Sequence, residues 1–283
     1  MRTLLPSGQI PRSTSLRLMS TNRRGFLKAA AAASAATALA GGQALAAESA
    51  PPRDYLELRC YRLKSGAPHT LLDAYLERAL IPALNRRSIR NVGVFTEPDA
   101  TDGPAIWVLI PHRSLESVAS VTASINADTS VQAAAAEYLR VGKANPTFDR
   151  IDSWLHLSFA GLPRLQVPAL QRNNQARVFE MRLYESFSEL TALKKVAMFN
   201  AGEIDVMKEV GLSPVFYGQA LVGRDLPHLN YMLCSPDRET HATNWKRFLD
   251  HPVWKKLSSD PQYADTVSKI TSRFLVPAAY SQI

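Results

Sequence analysis

Two stretches of this chain spell the same strand. Tyr55-Leu56-Glu57-Leu58-Arg59-Cys60-Tyr61 and Val178-Phe179-Glu180-Met181-Arg182-Leu183-Tyr184 share Glu, Arg and Tyr at an offset of 123 residues. The same offset, without a gap, pairs Ser65 with Ser188, Ala74 with Ala197, Ile81 with Ile204, Val92 with Val215, Glu116 with Glu239, Ala119 with Ala242 and Arg150 with Arg273. Apolar positions follow it too, among them Ile89 with Leu212 and Ile110 with Leu233. One offset sustained over so long a span reads as a tandem duplication. Whatever fold one half takes, the other is expected to repeat it.

Each half carries the same order of signals. A strand with period-2 alternation comes first, at about 55–63 and 178–185. A helix follows, from about Pro68 to Arg87 and from Ser188 to Val210, with Pro82 expected to kink the first and Gly211 to cap the second. Two short strands come next, Asn91–Thr96 with Ala105–Pro111 and Pro214–Leu221 with His228–Cys234. Helical segments and a last strand close each half, near Ile151–Phe159 and Ile270–Pro277. Residues 161–175, with Pro163 and Pro168, read as the linker between repeats at 47–160 and 176–283. Strand, helix, two strands, helix, strand is a ferredoxin-like α+β unit with helices on one face of an antiparallel sheet. The middle strands are apolar on both faces: Ile106, Val108 and Ile110 on one side, Trp107 and Leu109 on the other. Both faces therefore want burial, and the two open sheets are expected to shield each other as a barrel-like pair.

The leader explains the charge. The chain has a formal net charge of +8, but residues 1–46 hold six basic residues and no acidic one, which leaves 27 basic against 25 acidic, a net of +2. That balance gives no footprint for nucleic acid. Thr21-Asn22-Arg23-Arg24-Gly25-Phe26-Leu27-Lys28 resembles a twin-arginine export signal. An Ala-rich stretch follows, then Ala44-Leu45-Ala46 as a cleavage site, so export to the periplasm or beyond is expected. Met19 stands at an ordinary distance ahead of the arginine pair, which makes residues 1–18 readable as a misassigned start. A hydrophobic content of 46% rules out general disorder, and no apolar run in the mature chain is long enough to span a bilayer. The two cysteines, Cys60 and Cys234, are read as buried free thiols.

No familiar catalytic or nucleotide-binding motif is present, and His69, His112, His156, His228, His241 and His251 show no metal-ligand spacing. The best candidate site is the polar face of the two first strands. Alternation places Glu57, Arg59 and Tyr61 together, and Glu180, Arg182 and Tyr184 likewise. Leu56, Leu58 and Cys60 are expected to face the helices, which would turn the polar residues into the shared interior. There they form either a ligand pocket or an ion network that fixes how the halves pair; the network is the reading favoured by the frequency of structural ion pairs. Trp245, Phe248 and Trp254 are read as helix-to-sheet core, and His228 as a surface or capping residue at a strand mouth.

The strands reading Glu-x-Arg-x-Tyr, the stretch Gly202-Glu203-Ile204, Gly211-Leu212, Val215-Phe216-Tyr217-Gly218, Trp245-x-x-Phe248 and Pro252-Val253-Trp254 resemble the NIPSNAP family of the dimeric α+β barrel superfamily. The resemblance is clear in the second half and degenerate in the first, where Thr122 replaces Trp245 and Val131 replaces Trp254. It implies an intrachain version of the paired-sheet barrel. It implies no fixed activity; the superfamily includes cofactor-free monooxygenases and haem-dependent enzymes. A non-catalytic protein that binds a small molecule or another protein is the leading expectation, with no cofactor, as a monomer or homodimer. An α+β barrel enzyme, monooxygenase-like or haem-related, is the alternative.

Overall fold

The computed structural model describes residues 51–64 and 69–283. The export signal expected at 1–46, the Ser65–Ser188 match and the helix start at Pro68 lie outside the described residues. The first half runs β1 (Tyr55–Arg62), α1 (Thr70–Tyr75), a π-helical turn (Leu76–Leu80), α2 (Ile81–Arg86), β2 (Gly93–Thr96), β3 (Ala105–His112), α3 (Leu115–Asn126), α4 (Thr129–Ala134), α5 (Ala136–Leu139) and β4 (Arg150–Ser158). After the short α6 (Ala169–Arg172), the second half runs β5 (Val178–Glu185), α7 (Glu189–Met198), a π-helical turn (Phe199–Glu203), α8 (Ile204–Glu209), β6 (Ser213–Val222) and β7 (His228–Ser235). It ends with α9 (Arg238–Asp250), α10 (Pro252–Ser258) and β8 (Lys269–Pro277).

Local chemistry sets these boundaries. Ser114 and Asp237 accept backbone N–H groups at the starts of α3 and α9, and Ser188 forms a capping box with Thr191 at the start of α7. Gly211, at φ 86°, ends α8 in a left-handed conformation. The kink expected at Pro82 is absorbed instead: the π turn at Leu76–Leu80 precedes it, and helical backbone continues to Arg86. A matching π turn at Phe199–Glu203 occurs where no proline follows, so proline is not its cause.

The strands close into one antiparallel barrel in the order β1-β3-β2-β8-β5-β7-β6-β4. Within each half the order is that of a ferredoxin-like sheet, β4-β1-β3-β2 and β8-β5-β7-β6. The two sheets meet at both edges, through Phe95↔Pro277 and Thr96↔Val276 on one side and Leu157↔Gln219 and Ser158↔Gly218 on the other. Closure leaves no sheet edge exposed. Three buried clusters follow. Leu56, Leu58, Phe95, Trp107, Met181 and Met232 belong to the barrel interior. Leu72, Leu80, Val108 and Ile110 pack under the first half's helices, and Phe199, Met207, Tyr231 and Leu233 under the second's. Leu165 of the linker and the C-terminal Ile283 plug the interior at the end where β1 and β2 begin. Among the described residues, no helix is long and apolar enough to cross a membrane.

The barrel corrects one expectation. Leu56, Leu58 and Cys60 line the interior, while Glu57, Arg59 and Tyr61 face the helices. Glu180, Arg182 and Tyr184 likewise point outward. Alternation assigned the residues to the correct common face but not to the correct side. The reason is physical: the interior of an eight-stranded barrel is narrow and packed by side chains, so it takes the hydrocarbon face. Charged groups go under the helices, where their tips reach polar partners and the rim of solvent.

Candidate functional site

The six candidate residues form two outward-facing clusters rather than one central pocket. In the first half Arg59 grips Glu57 with two bonds, Nε to Oε1 at 2.6 Å and Nη2 to Oε2 at 3.0 Å. His112 Nε2 lies 3.4 Å from the same carboxylate, and Arg59 also reaches Thr122 Oγ1 of α3 at 3.4 Å. Burial alone would raise the Glu57 pKa, but the bonds from His112 and Arg59 overcome it and hold the carboxyl at about 2. In the second half Arg182 Nη1 donates to Glu180 Oε1 at 2.6 Å and Ser272 Oγ donates at 2.5 Å. His241 Nε2, on α9, reaches Glu180 Oε2 at 2.8 Å, and its Nδ1 meets Ser235 Oγ at 3.1 Å. Burial pushes the Glu180 pKa up, yet the partners, His241 first, bring it below the ordinary value. Trp245 covers the Arg182 guanidinium at 4.6 Å. Tyr184 meets Tyr231, hydroxyl to hydroxyl, at 2.9 Å, while Tyr61 packs edge-on against Phe148. These are ion-paired networks that tie strand to helix, with His112 Nε2 and Arg182 Nε left as buried nitrogens without a hydrogen-bond partner. Phe248 is core, with Trp245 and Trp254 packed against it, as expected.

An open space exists elsewhere, at the barrel mouth where β1 and β5 end. It is a cavity of about 220 Å³, with Leu58, Trp107, Trp154 and Met181 as its apolar wall. The two indoles face each other with centroids 6.0 Å apart and planes 24° from parallel. Four cations stand on the rim, each already holding a carboxylate. Arg62 Nε binds Asp152 at 2.5 Å, Arg224 binds the same Asp152 at 3.0 Å, Arg273 binds Glu97 at 2.8 Å and Asp102 at 3.1 Å, and Lys269 binds Glu185 at 2.8 Å. Arg224 to Asp152 and Arg273 to Glu97 cross from one half to the other. The inter-half ion network expected of Glu57 and Arg182 is thus carried by the mouth residues.

His228 also departs from expectation. It is 1% exposed rather than superficial, and its Nδ1 donates to the Asp225 carbonyl at 3.0 Å. Burial lowers its pKa and keeps the ring neutral. Its ring lies 5.7 Å from that of His156, which burial and the neighbouring imidazole push down to about 3. Among the described residues, no group of three or more His, Cys, Asp or Glu is placed to hold a metal. Cys60 and Cys234 are free and buried, and burial raises both thiols to about 12.

Sequence reasoning missed Trp107, Trp154, Arg62, Arg224, Arg273 and Asn230 as site residues. One signal was available: Asp152, Trp154, His156 and Ser158 alternate along the last strand of the first half, a polar and aromatic face on a strand whose other positions are ordinary.

A closed eight-stranded barrel with helices outside defines the class: an α+β barrel protein. Residues 179–282, which run from β5 through β8, match the NIPSNAP family. No curated protein matches the chain. Among solved structures, a proposed monooxygenase from Fusobacterium nucleatum superposes with a TM-score of 0.52 at 7% identity, over 80% of this chain and 93% of that one. A proposed monooxygenase from Lactobacillus acidophilus gives 0.51 at 7% identity, over 80% and 94%. An uncharacterised NIPSNAP-like domain protein from Burkholderia xenovorans aligns at 18% identity over 38% of this chain and 90% of its own, with a TM-score of 0.34. At such identities the likeness is one of fold, and function rests on the site.

Proposed function

We propose that this is an exported protein built of two NIPSNAP-like repeats, the first degenerate, which binds a small molecule at the mouth of its barrel and does not transform it. The observation that carries this reading is the mouth cavity with its paired indoles, a concave apolar space ringed by polar groups. The rim cations support the non-catalytic part, because Arg62, Arg224, Arg273 and Lys269 are each spent in an ion pair; of the lining acids only Asp225, exposed at the rim, stands outside these pairs. The cavity, at about 220 Å³, is smaller than the roughly 300–1,000 Å³ usual for larger ligands. A tetrapyrrole does not fit it, so the reading includes no haem.

The test uses the mature chain. A panel of small neutral ring compounds should raise its melting temperature and quench its indole fluorescence. Thr271→Trp, which fills the mouth from β8, should remove both responses while leaving the far-UV circular dichroism unchanged. A Soret shift with haemin, or oxygen uptake with quinols, would overturn the non-catalytic reading. Export is tested by fractionation: Arg23→Lys with Arg24→Lys should leave the protein in the cytoplasm.

A further inference from the structure

Large apolar side chains stand in water along one flank of the second half. Phe187, Leu190 and Leu193 at the start of α7, and Leu221 and Leu226 at the β6–β7 hairpin, are each 40–68% exposed. Leu190 and Leu193, three residues apart, share one face of α7. Leu193 lines a groove of about 260 Å³ together with Leu221, Leu226 and Pro227. Phe187, just ahead of the Ser188 cap, and Leu190 extend the α7 side of that groove as a ridge. Single exposed apolar residues are ordinary, but these amount to a patch on the order of 500 Å², at the upper end for a monomer.

The duplication shows that the fold does not ask for this patch. At the offset of 123 the corresponding residues are Lys64, Ala67, Thr70, Pro98 and Gly103. The correspondence is one of position in the fold, because β5 and β7 begin and end at that same offset from β1 and β3. Both halves form a strand, a helix and a strand pair here, yet only the second coats them with large hydrocarbon groups. Those groups therefore answer to something outside the chain's own core.

The charges around the groove point to what covers it. Glu189 is the one charged group in its lining, since burial keeps His228 neutral. A groove with one carboxylate and no cation does not suit a nucleic acid or an anionic lipid surface. It suits an apolar ridge flanked by a cation. The chain carries such a ridge itself: Phe187, Leu190 and Leu193, with the exposed Lys194 beside them. A ridge and a groove on one face are self-complementary, which is what a two-fold symmetric contact requires.

We propose that the mature chain pairs with a second copy of itself through this face. The α7 ridge of each copy seats in the other's groove between α7 and the β6–β7 hairpin, and Lys194 approaches Glu189 of the partner subunit. With its polar rim, the patch comes near the roughly 800 Å² per partner of a standard stable interface. This contact is separate from the closure of the two sheets within one chain, and it does not depend on what the mouth cavity holds.

Sedimentation equilibrium of the mature chain should show a monomer–dimer equilibrium in the micromolar range or tighter. Leu190→Glu combined with Leu193→Glu should weaken association about a hundredfold or more, with the far-UV circular dichroism unchanged because both residues are exposed. Thr70→Glu, at the position of Leu193 in the first half, should leave the dimer intact. If the double variant does not fold, Leu226→Glu on the hairpin should weaken association in its place. A wild type that stays monomeric into the millimolar range overturns the proposal. A dimer that survives in the folded variants also overturns it, because its interface then lies elsewhere. Binding of a monomeric wild type to phosphatidylcholine vesicles, lost in the same variants, overturns it too and assigns the patch to a lipid surface.

Discussion

The first helices of the two halves fill one position in opposite ways. Beneath α1 and its π turn, Leu72 and Leu80 are buried at 0% and 2% exposure. At the equivalent positions beneath α7 stand Lys195 and Glu203, at 4% and 1%, joined Nζ to Oε2 at 2.9 Å. Lys195 Nζ also sits 4.7 Å from the Phe199 ring and 5.3 Å from that of Trp254. The π turns at Leu76–Leu80 and Phe199–Glu203 fall at the same offset, although the second is broken by Gly202 at φ 141°. The fold therefore does not require the ion pair; hydrocarbon suffices. A buried pair of this kind gains little over well-packed apolar side chains but is costly to break.

The strongest way to break the comparison is to remove one charge. Glu203→Leu strands the Lys195 ammonium, and the expected loss is about 3–5 kcal/mol in urea denaturation of the mature chain. Adding Lys195→Leu makes the second half imitate the first. The double variant should recover the loss and end between neutral and about 1–4 kcal/mol more stable than wild type. A single variant as stable as wild type would show that the pair is solvated, and the contrast with Leu72 and Leu80 would vanish.

Acid titration sharpens the same contrast with a smaller effect. Glu57 sits at about 2 when folded, against 4.5 for a free glutamate. Its contribution is therefore full above pH 4.5 and drains away as the pH falls towards 2. Glu203 has the opposite sign: burial raises its folded pKa despite Lys195, so its contribution is present below 4.5 and drains as the pH rises through that raised value. Glu57→Gln should flatten the acid limb of the stability curve, by roughly 2–3 kcal/mol across that window. Glu203→Gln should leave the acid limb in place and change the slope above pH 4.5. Identical pH profiles for the two variants would contradict the assigned environments.

The same pair shows where the sequence was legible. The offset that links Glu57 to Glu180 delivered the element order, both ferredoxin-like sheets and their closure, because each rests on alternation and on strands apolar on both faces. It also placed Glu57, Arg59 and Tyr61 on one face. It could not say which face a barrel turns inward, since that depends on the volume available inside the closed sheet. The buried Lys195–Glu203 pair is not legible in the sequence, because it depends on the rings of Tyr184 on β5, Phe199 in the π turn and Trp254 on α10 that the fold brings over Lys195. The mouth cavity was hidden for a related reason. Arg62, Asp102, Trp107, Trp154, Arg224 and Arg273 are far apart in sequence, and only closure between β4 and β6 and between β2 and β8 assembles them.

The smallest expected effect concerns the aromatic signature that separates the halves. Trp245 lies over Arg182 at 4.6 Å, whereas Thr122 offers Arg59 only a hydroxyl at 3.4 Å. Trp245→Thr should cost about 1 kcal/mol, the scale of a half-exposed cation–π contact. The reciprocal Thr122→Trp, on the exposed face of α3, should gain no more than about 1 kcal/mol over Arg59. If the two exchanges nearly cancel in a combined variant, each guanidinium takes whatever cover its helix provides, and the second half's tryptophan is packing. If Trp245→Thr leaves stability untouched yet abolishes ligand binding, the tryptophan serves a guest and not the arginine. The binding centre would then move from the mouth to the helix side of the second half, where Glu180, Arg182 and Tyr184 lie.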